Sequence, residues 1–270
     1  MMLKIAAATA YVAMVYVNYL ANALPINGVT TGQVSEAYPN LFAPAGPTFA
    51  IWGVIYLALG AYTVYQTGVL LRPDRIAAWM PRINKLFILS SGANILWIFA
   101  WHYDYIGLSL LVIVIILVCL IGIADCLRGQ VLSTRDYLLV RLPFSLYFGW
   151  ITVAVIANVT VLLVRLEWGG FGLPEALWTV GVVFGGALIG TLRLLRDRDI
   201  AYGAVLIWAY LGILLKHASP EGHGARYVGV MAAVILCLVG FVLAIGYVAR
   251  MKTDANATPT PTPHPLHTNR

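Results

Sequence analysis

Charge is scarce in this chain. Asp, Glu, Lys and Arg make up 10% of its 270 residues, where a soluble domain carries roughly a quarter. With 61% hydrophobic residues, such a surface is not kept in water, so the chain reads as an integral membrane protein. Asp, Glu and Lys are also missing from the middles of the long apolar runs: Asp125 and Arg141 stand toward one end of theirs, Glu167 and Lys216 toward the other. Ion-coupled transport draws on intramembrane carboxylates or helices broken at the midplane, so its usual machinery is not in evidence. Lys216 lies too near the end of its run to act as a retinal Schiff-base lysine. Only three cysteines occur, Cys119, Cys126 and Cys237, all within or beside apolar runs, which excludes a disulfide framework. Walker, nucleophile-elbow, His-Glu-x-x-His and dinucleotide fingerprints are absent, so no catalytic residue is assigned. His102, Asp104, His217 and His223 fall on one side of the apolar runs, but without close ligand spacing, and no metal site is assigned.

Long apolar runs are what the chain does have. They fall near 5–24, 47–71, 84–103, 106–127, 138–164, 174–195, 199–217 and 226–249. Each is close to the roughly 20 residues that cross a bilayer, predicting an all-α, polytopic bundle of about eight transmembrane helices. The first run, with Lys4 before it and Ala21-Asn22-Ala23 at its end, has features of a signal peptide. Asn18 and Asn22 interrupt it, and it is read as a retained span. The connections at 103–106 and 196–199 are short enough to make the spans they join antiparallel neighbours.

The net charge of +6 does not mark a nucleic-acid surface, because the basic residues lie in short runs between spans rather than in one patch. Alternate loops collect 14 of the 17 Lys and Arg residues: Lys4, Arg72, Arg75, Arg82, Lys85, Arg128, Arg135, Arg141, Arg193, Arg196, Arg198, Arg250, Lys252 and Arg270. Only Arg165, Lys216 and Arg226 fall on the other side. By the positive-inside rule both termini are cytoplasmic, the chain spans the cell membrane several times, and the 25–46 loop lies outside.

Three spans carry an aromatic and polar stripe at helical spacing. The second, entered through the proline-rich stretch FAPAGPTFA, aligns Trp52, Tyr56, Gly60 and Thr63. The third aligns Ser90, Asn94, Trp97 and Trp101, and the fifth aligns Pro143, Tyr147, Trp150, Ala154 and Asn158. Lipid cannot satisfy an amide, so these stripes turn inward. Two readings stay open on the pattern alone: interhelical packing through Asn–backbone hydrogen bonds, and a cavity for a flat apolar ligand held by stacking and a few hydrogen bonds.

These residues resemble the TspO/MBR family, the tryptophan-rich sensory proteins. Pro44, Pro47, Phe49, Trp52 and Tyr56 stand where that family runs from a proline-rich loop into its second helix. Asn94 and Trp97 match its Leu-Asn-x-x-Trp, and Pro143, Trp150 and Asn158 follow the order of its fifth helix. The resemblance implies a five-helix membrane core over 1–166, to which 167–250 adds three helices and 251–270 a disordered Pro/Thr-rich cytoplasmic tail. It further implies a receptor or sensor for an apolar planar ligand, porphyrin-like or another tetrapyrrole, with no cofactor required. Trp52, Tyr56, Asn94, Trp97, Tyr147, Trp150, Asn158, Pro44 and Pro47 are the candidate ligand-binding residues, under a lid formed by the 25–46 loop. The alternatives are a transporter or permease subunit for a small hydrophobic substrate, and a structural membrane subunit. The expected partners are the lipid bilayer and the apolar ligand. Gly181-x-x-x-Gly185 and Gly186-x-x-x-Gly190 read as packing of the added helices on the core, with a homodimer as the sharper use.

Overall fold

The computed structural model describes residues 1–69 and 78–257. Arg72 and Arg75 of the basic set, and residues 258–270 of the tail, lie outside the described residues. The helices are α1 (Met2–Ala23), α2 (Thr31–Glu36), α3 (Ile51–Thr67), α4 (Met80–His102), α5 (Ile106–Leu127), α6 (Thr134–Asp136), α7 (Leu142–Arg165), α8 (Glu175–Asp197), α9 (Ile200–Ala218) and α10 (Val228–Ala257). No strand occurs among the described residues.

Among the described residues, eight helical segments are long and apolar enough to cross a membrane. They are α1, Gly46–Thr67 (a 3-10 turn running into α3), α4, α5, Thr134–Arg165 (α6 through α7), α8, α9 and α10. The molecule is a multi-pass helical bundle with an apolar exterior: Leu57, Leu111, Val118 and Leu188 are all exposed on the flanks of their helices. Such side chains are covered by lipid rather than water.

Element ends depart from the sequence expectation by a few residues, with two larger differences. α10 is helical to Ala257, past residue 251, where the sequence places the start of the disordered tail. Within the 25–46 loop, α2 forms an unforeseen short helix. A capping box starts it: Thr30 Oγ1 accepts from the Gln33 amide and Gln33 Oε1 accepts from the Thr30 amide. Between α6 and α7 the chain widens into a π-helical turn, Tyr137–Arg141. Pro143 has no N–H for the Leu139 carbonyl and its ring crowds that group, and the widened turn relieves the crowding.

α1, α3, α4, α5 and α7 pack on one another, and α9 packs between α7 and α10, with α8 against α10. α4 and α5 form the expected antiparallel pair through Asp104, at φ +63°. The glycines of α8 divide by use. A Cβ on Gly186 would meet Ile156 and Tyr210, and one on Gly190 would meet Leu206, so this step brings α8 close to α7 and α9. Gly181 and Gly185 meet nothing within 4 Å.

An ionic cluster ties α8 and the turn into α9 to α5 and α7 at the end where the basic residues gather. Arg193 bonds Asp125 at 2.8 Å and Asp197 at 2.6 Å, joining α8 to α5. Arg141 reaches the Asp197 carbonyl at 2.6 Å, and Ser145 donates to Asp199 at 2.5 Å. The 25–46 loop and the turns after α4, α7 and α9 meet at the opposite end.

Candidate functional site

The site begins where α3 begins. Pro47 opens the 3-10 turn Gly46–Ala50, its fixed φ suiting the first helical turn. One turn further, the rings of Trp52 and Tyr56 stack at 5.4 Å and 19°. α7 presents Tyr147 and Trp150 edge-on to Trp52, at 6.0 and 6.2 Å. Phe49 meets Trp150 edge-on at 5.8 Å, and on α4 Trp97 stacks with Trp101 at 5.6 Å. These arrangements suit the ring quadrupoles, which disfavour a face-to-face sandwich.

Amides fix the helices behind the rings. Asn18 Nδ2 on α1 donates to Asn94 Oδ1 at 2.6 Å, and Asn94 Nδ2 donates to the Tyr147 hydroxyl at 3.2 Å. Asn158 Oδ1 accepts from Ser109 Oγ at 3.0 Å and from Trp97 Nε1 at 3.5 Å.

The 25–46 loop covers this end. Trp101 Nε1 donates to the Thr31 carbonyl at 3.1 Å, and Asn27 donates to the His102 carbonyl at 3.0 Å. Tyr38 bonds Asp104, and Arg165 bonds both. α9 holds the same loop by two hydrogen bonds and the 3-10 turn that follows it by a third. His217 Nε2 meets the Leu41 carbonyl at 2.8 Å, the Ala45 amide donates to the Gly212 carbonyl at 3.0 Å, and Trp208 Nε1 donates to the Thr48 carbonyl at 2.9 Å. A Cβ on Gly212 would collide with the Thr48 side chain, so α9 approaches the turn at the end of the loop this closely because that residue is glycine.

Beneath the loop lies a cavity of about 390 Å³, walled by Asn18, Asn22, Phe49, Trp52, Tyr56 and Trp97, with Thr30–Gly32 and Gly46 above. A narrow cleft of about 50 Å³ shares Thr31, Phe49, Trp52 and Trp97 with it and continues between Pro44, Trp101, Trp150 and Asn158. Among the described residues, no charged side chain lines either space. Two buried polar atoms in the walls have no hydrogen-bond partner, the Tyr56 hydroxyl and Trp150 Nε1.

Of the residues singled out in the sequence, Trp52 and Trp97 line both spaces, Tyr56 the larger one, and Pro44, Trp150 and Asn158 the cleft. Asn94 and Tyr147 are fully buried behind the wall and line neither. Pro47 is exposed on the opening turn. Sequence reasoning missed Asn18, Asn22, Thr30, Thr31, Gly32, Gly46, Phe49 and Trp101 as lining residues. Asn18 and Asn22 carry a signal, two amides four apart on an apolar helix. The loop residues carried none, because their position depends on how the loop folds back.

A protein-family model described as TSPO-like protein matches residues 4–246. No curated protein and no solved structure matches the chain. The family match runs beyond residue 166 into α10, taking in all eight membrane-length segments. On that match over most of its length, the chain belongs to the family of TSPO-like proteins.

Proposed function

We propose that the protein is a membrane receptor or sensor for an apolar planar ligand of the tetrapyrrole kind. The ligand would lie in the cavity under the 25–46 loop, against the stacked pair Trp52 and Tyr56. The observation that carries this reading is an uncharged aromatic cavity, continued by the narrow cleft, with one unpartnered polar atom on a lining residue of each: Tyr56 OH at the cavity and Trp150 Nε1 at the cleft. Buried polar groups without partners are uncommon and call for one, and a ligand that stacks on Trp52 while bonding these atoms supplies it. The volume of about 390 Å³ falls in the range of small-molecule sites. Asn94 and Tyr147 act in this reading by holding α1, α4 and α7 in register rather than by touching ligand. Tryptophan stacking with few polar contacts selects for shape and flatness more than for charge.

Sidedness is part of the same proposal. The loop end carries Arg165, Lys216 and Arg226, and the other end most of the remaining basic residues. The protein is therefore placed in the cell membrane with both termini cytoplasmic and the cavity opening outside. Gly181 and Gly185, free of contacts, are where a homodimer would form.

Protoporphyrin IX titrated into purified protein, followed by quenching of tryptophan fluorescence, tests the binding. Saturable quenching, with affinity weakened in Trp52→Phe and Trp150→Phe, is the expected result. A folded wild-type sample showing no saturable binding, alongside substrate flux in proteoliposomes, would replace the sensor with a transporter.

A further inference from the structure

His217 lies in the last turn of α9 and His223 follows six residues later, beyond the end of the helix. The turn between them brings them together. The His223 amide bonds the Lys216 carbonyl at 2.9 Å, the Ala225 amide bonds the His217 carbonyl at 2.8 Å, and the Gly224 amide bonds the Ser219 carbonyl at 3.0 Å. Gly222 makes the fold-back passable, since a Cβ there would collide with the Lys216 carbonyl. The two imidazoles end with ring centroids 4.6 Å apart and Tyr227 edge-on to both.

His217 is fully buried, and its Nε2 faces the Leu41 carbonyl at 2.8 Å. A carbonyl only accepts, so Nε2 carries the proton and Nδ1 presents a lone pair. That nitrogen has no partner, and neither does the buried Nε2 of His223. A metal-binding histidine commonly donates its other ring N–H to a backbone carbonyl, which fixes tautomer and orientation, and His217 is held in that way. Distances agree as well. With nitrogen about 2.1 Å from the ion, each centroid lies roughly 3.2 Å away, so centroids 4.6 Å apart subtend about 90°.

We propose that His217 and His223 form a two-histidine site for a borderline divalent cation such as Zn²⁺, Cu²⁺ or Ni²⁺, completed by water. Imidazole nitrogen suits these ions, whereas Mg²⁺ and Ca²⁺ take oxygen ligands. No group of three or more imidazole, carboxylate or thiolate side chains suited to a metal occurs among the described residues. Lys216 and Arg226 carry positive charge beside the pair. Both facts make the affinity modest. The site is separate from the aromatic cavity and does not depend on what binds there. It is linked to the loop, because the ion would lock the ring whose other nitrogen holds Leu41.

Zn²⁺ titrated calorimetrically into the full chain in detergent at pH 7.5 is the test. His264→Gln/His267→Gln serves as the parent, so that the tail imidazoles add no background. The expected result is one saturable site per chain, abolished by His223→Gln. His223 sits on the half-exposed turn, so its substitution keeps the test usable if His217→Gln fails to fold. Bound Zn²⁺ should also slow proteolysis within the 25–46 loop of the parent and not of His223→Gln. Equal binding in parent and His223→Gln, or no binding to a folded parent, overturns the site.

Discussion

Asn18 on α1 donates a 2.6 Å hydrogen bond to Asn94 on α4, 76 positions away, and both side chains are buried. Asn94 passes the connection on to Tyr147 of α7. Three helices around the cavity are thus keyed together by one chain of amide and hydroxyl groups. Replacing Asn94 with leucine strands the Tyr147 hydroxyl and leaves Asn18 Nδ2 with only the Met14 carbonyl. A loss of about 1–2 kcal/mol is expected, read as a lower Tm in detergent. A Tm unchanged from wild type would show that the bonds carry no net stability.

Tyr56→Phe separates ligand contact from packing. The stacked ring on Trp52 is retained, and the hydroxyl removed had no partner donating to it or accepting from it. Stability should hold or rise slightly. Affinity for protoporphyrin IX should fall about tenfold, the loss of one hydrogen bond of about 1.4 kcal/mol. A fall in Tm with unchanged affinity would assign the hydroxyl to the fold.

Gly212→Val drives a side chain into Thr48 where α9 meets the loop. Overpacking of this kind costs about 1–3 kcal/mol, and here the loop yields more readily than the helix. The expected result is faster limited proteolysis between residues 25 and 46 with the helical content intact. Unchanged cleavage would show that α9 does not hold the loop.

The two ends of the bundle should respond differently to loss of an ion pair. Arg193 and Asp197 have side chains only 12% and 5% exposed, so Arg193→Met leaves Asp197 uncompensated and should cost about 3–5 kcal/mol. Arg165 and Asp104 are 45% and 48% exposed. Their pair is solvated and screened, and Arg165→Met should leave Tm close to wild type. The comparison needs only two thermal melts.

Tyr38 titrates above the ordinary tyrosine range, chiefly because burial disfavours the phenolate and then because of its hydrogen bond to Asp104. The folded state therefore keeps this proton when the unfolded chain has lost it. The contribution is complete below pH 10 and is lost as pH rises through the folded-state value. Melts at increasing pH above 10 should show wild type losing stability relative to Tyr38→Phe. Parallel curves would remove the effect.

Much of the architecture was legible in the chain. Eight apolar runs of bilayer length dictate eight helices, since only helices satisfy their own backbone in lipid. The inward turn of Trp52, Tyr56, Trp97, Trp150 and Asn158 follows from helical spacing and the cost of leaving amides and indole N–H groups in lipid. What spacing could not give is the division of those residues into wall and support. Asn94 and Trp97 share a face, yet one is locked between Asn18 and Tyr147 while the other lines the cavity.

Contacts between distant segments were decided by the tertiary structure alone. Thr31 meets Trp101 and Thr48 meets Trp208 across 70 and 160 positions, and no periodicity in the sequence encodes such a meeting. The pairing of His217 with His223 depends on a glycine turn whose hydrogen bonds set it, not on helical spacing. Composition and periodicity determine which faces must be hidden from lipid, because that rule is local. Which hidden face meets which, and where space remains between them, depends on all eight helices packing at once.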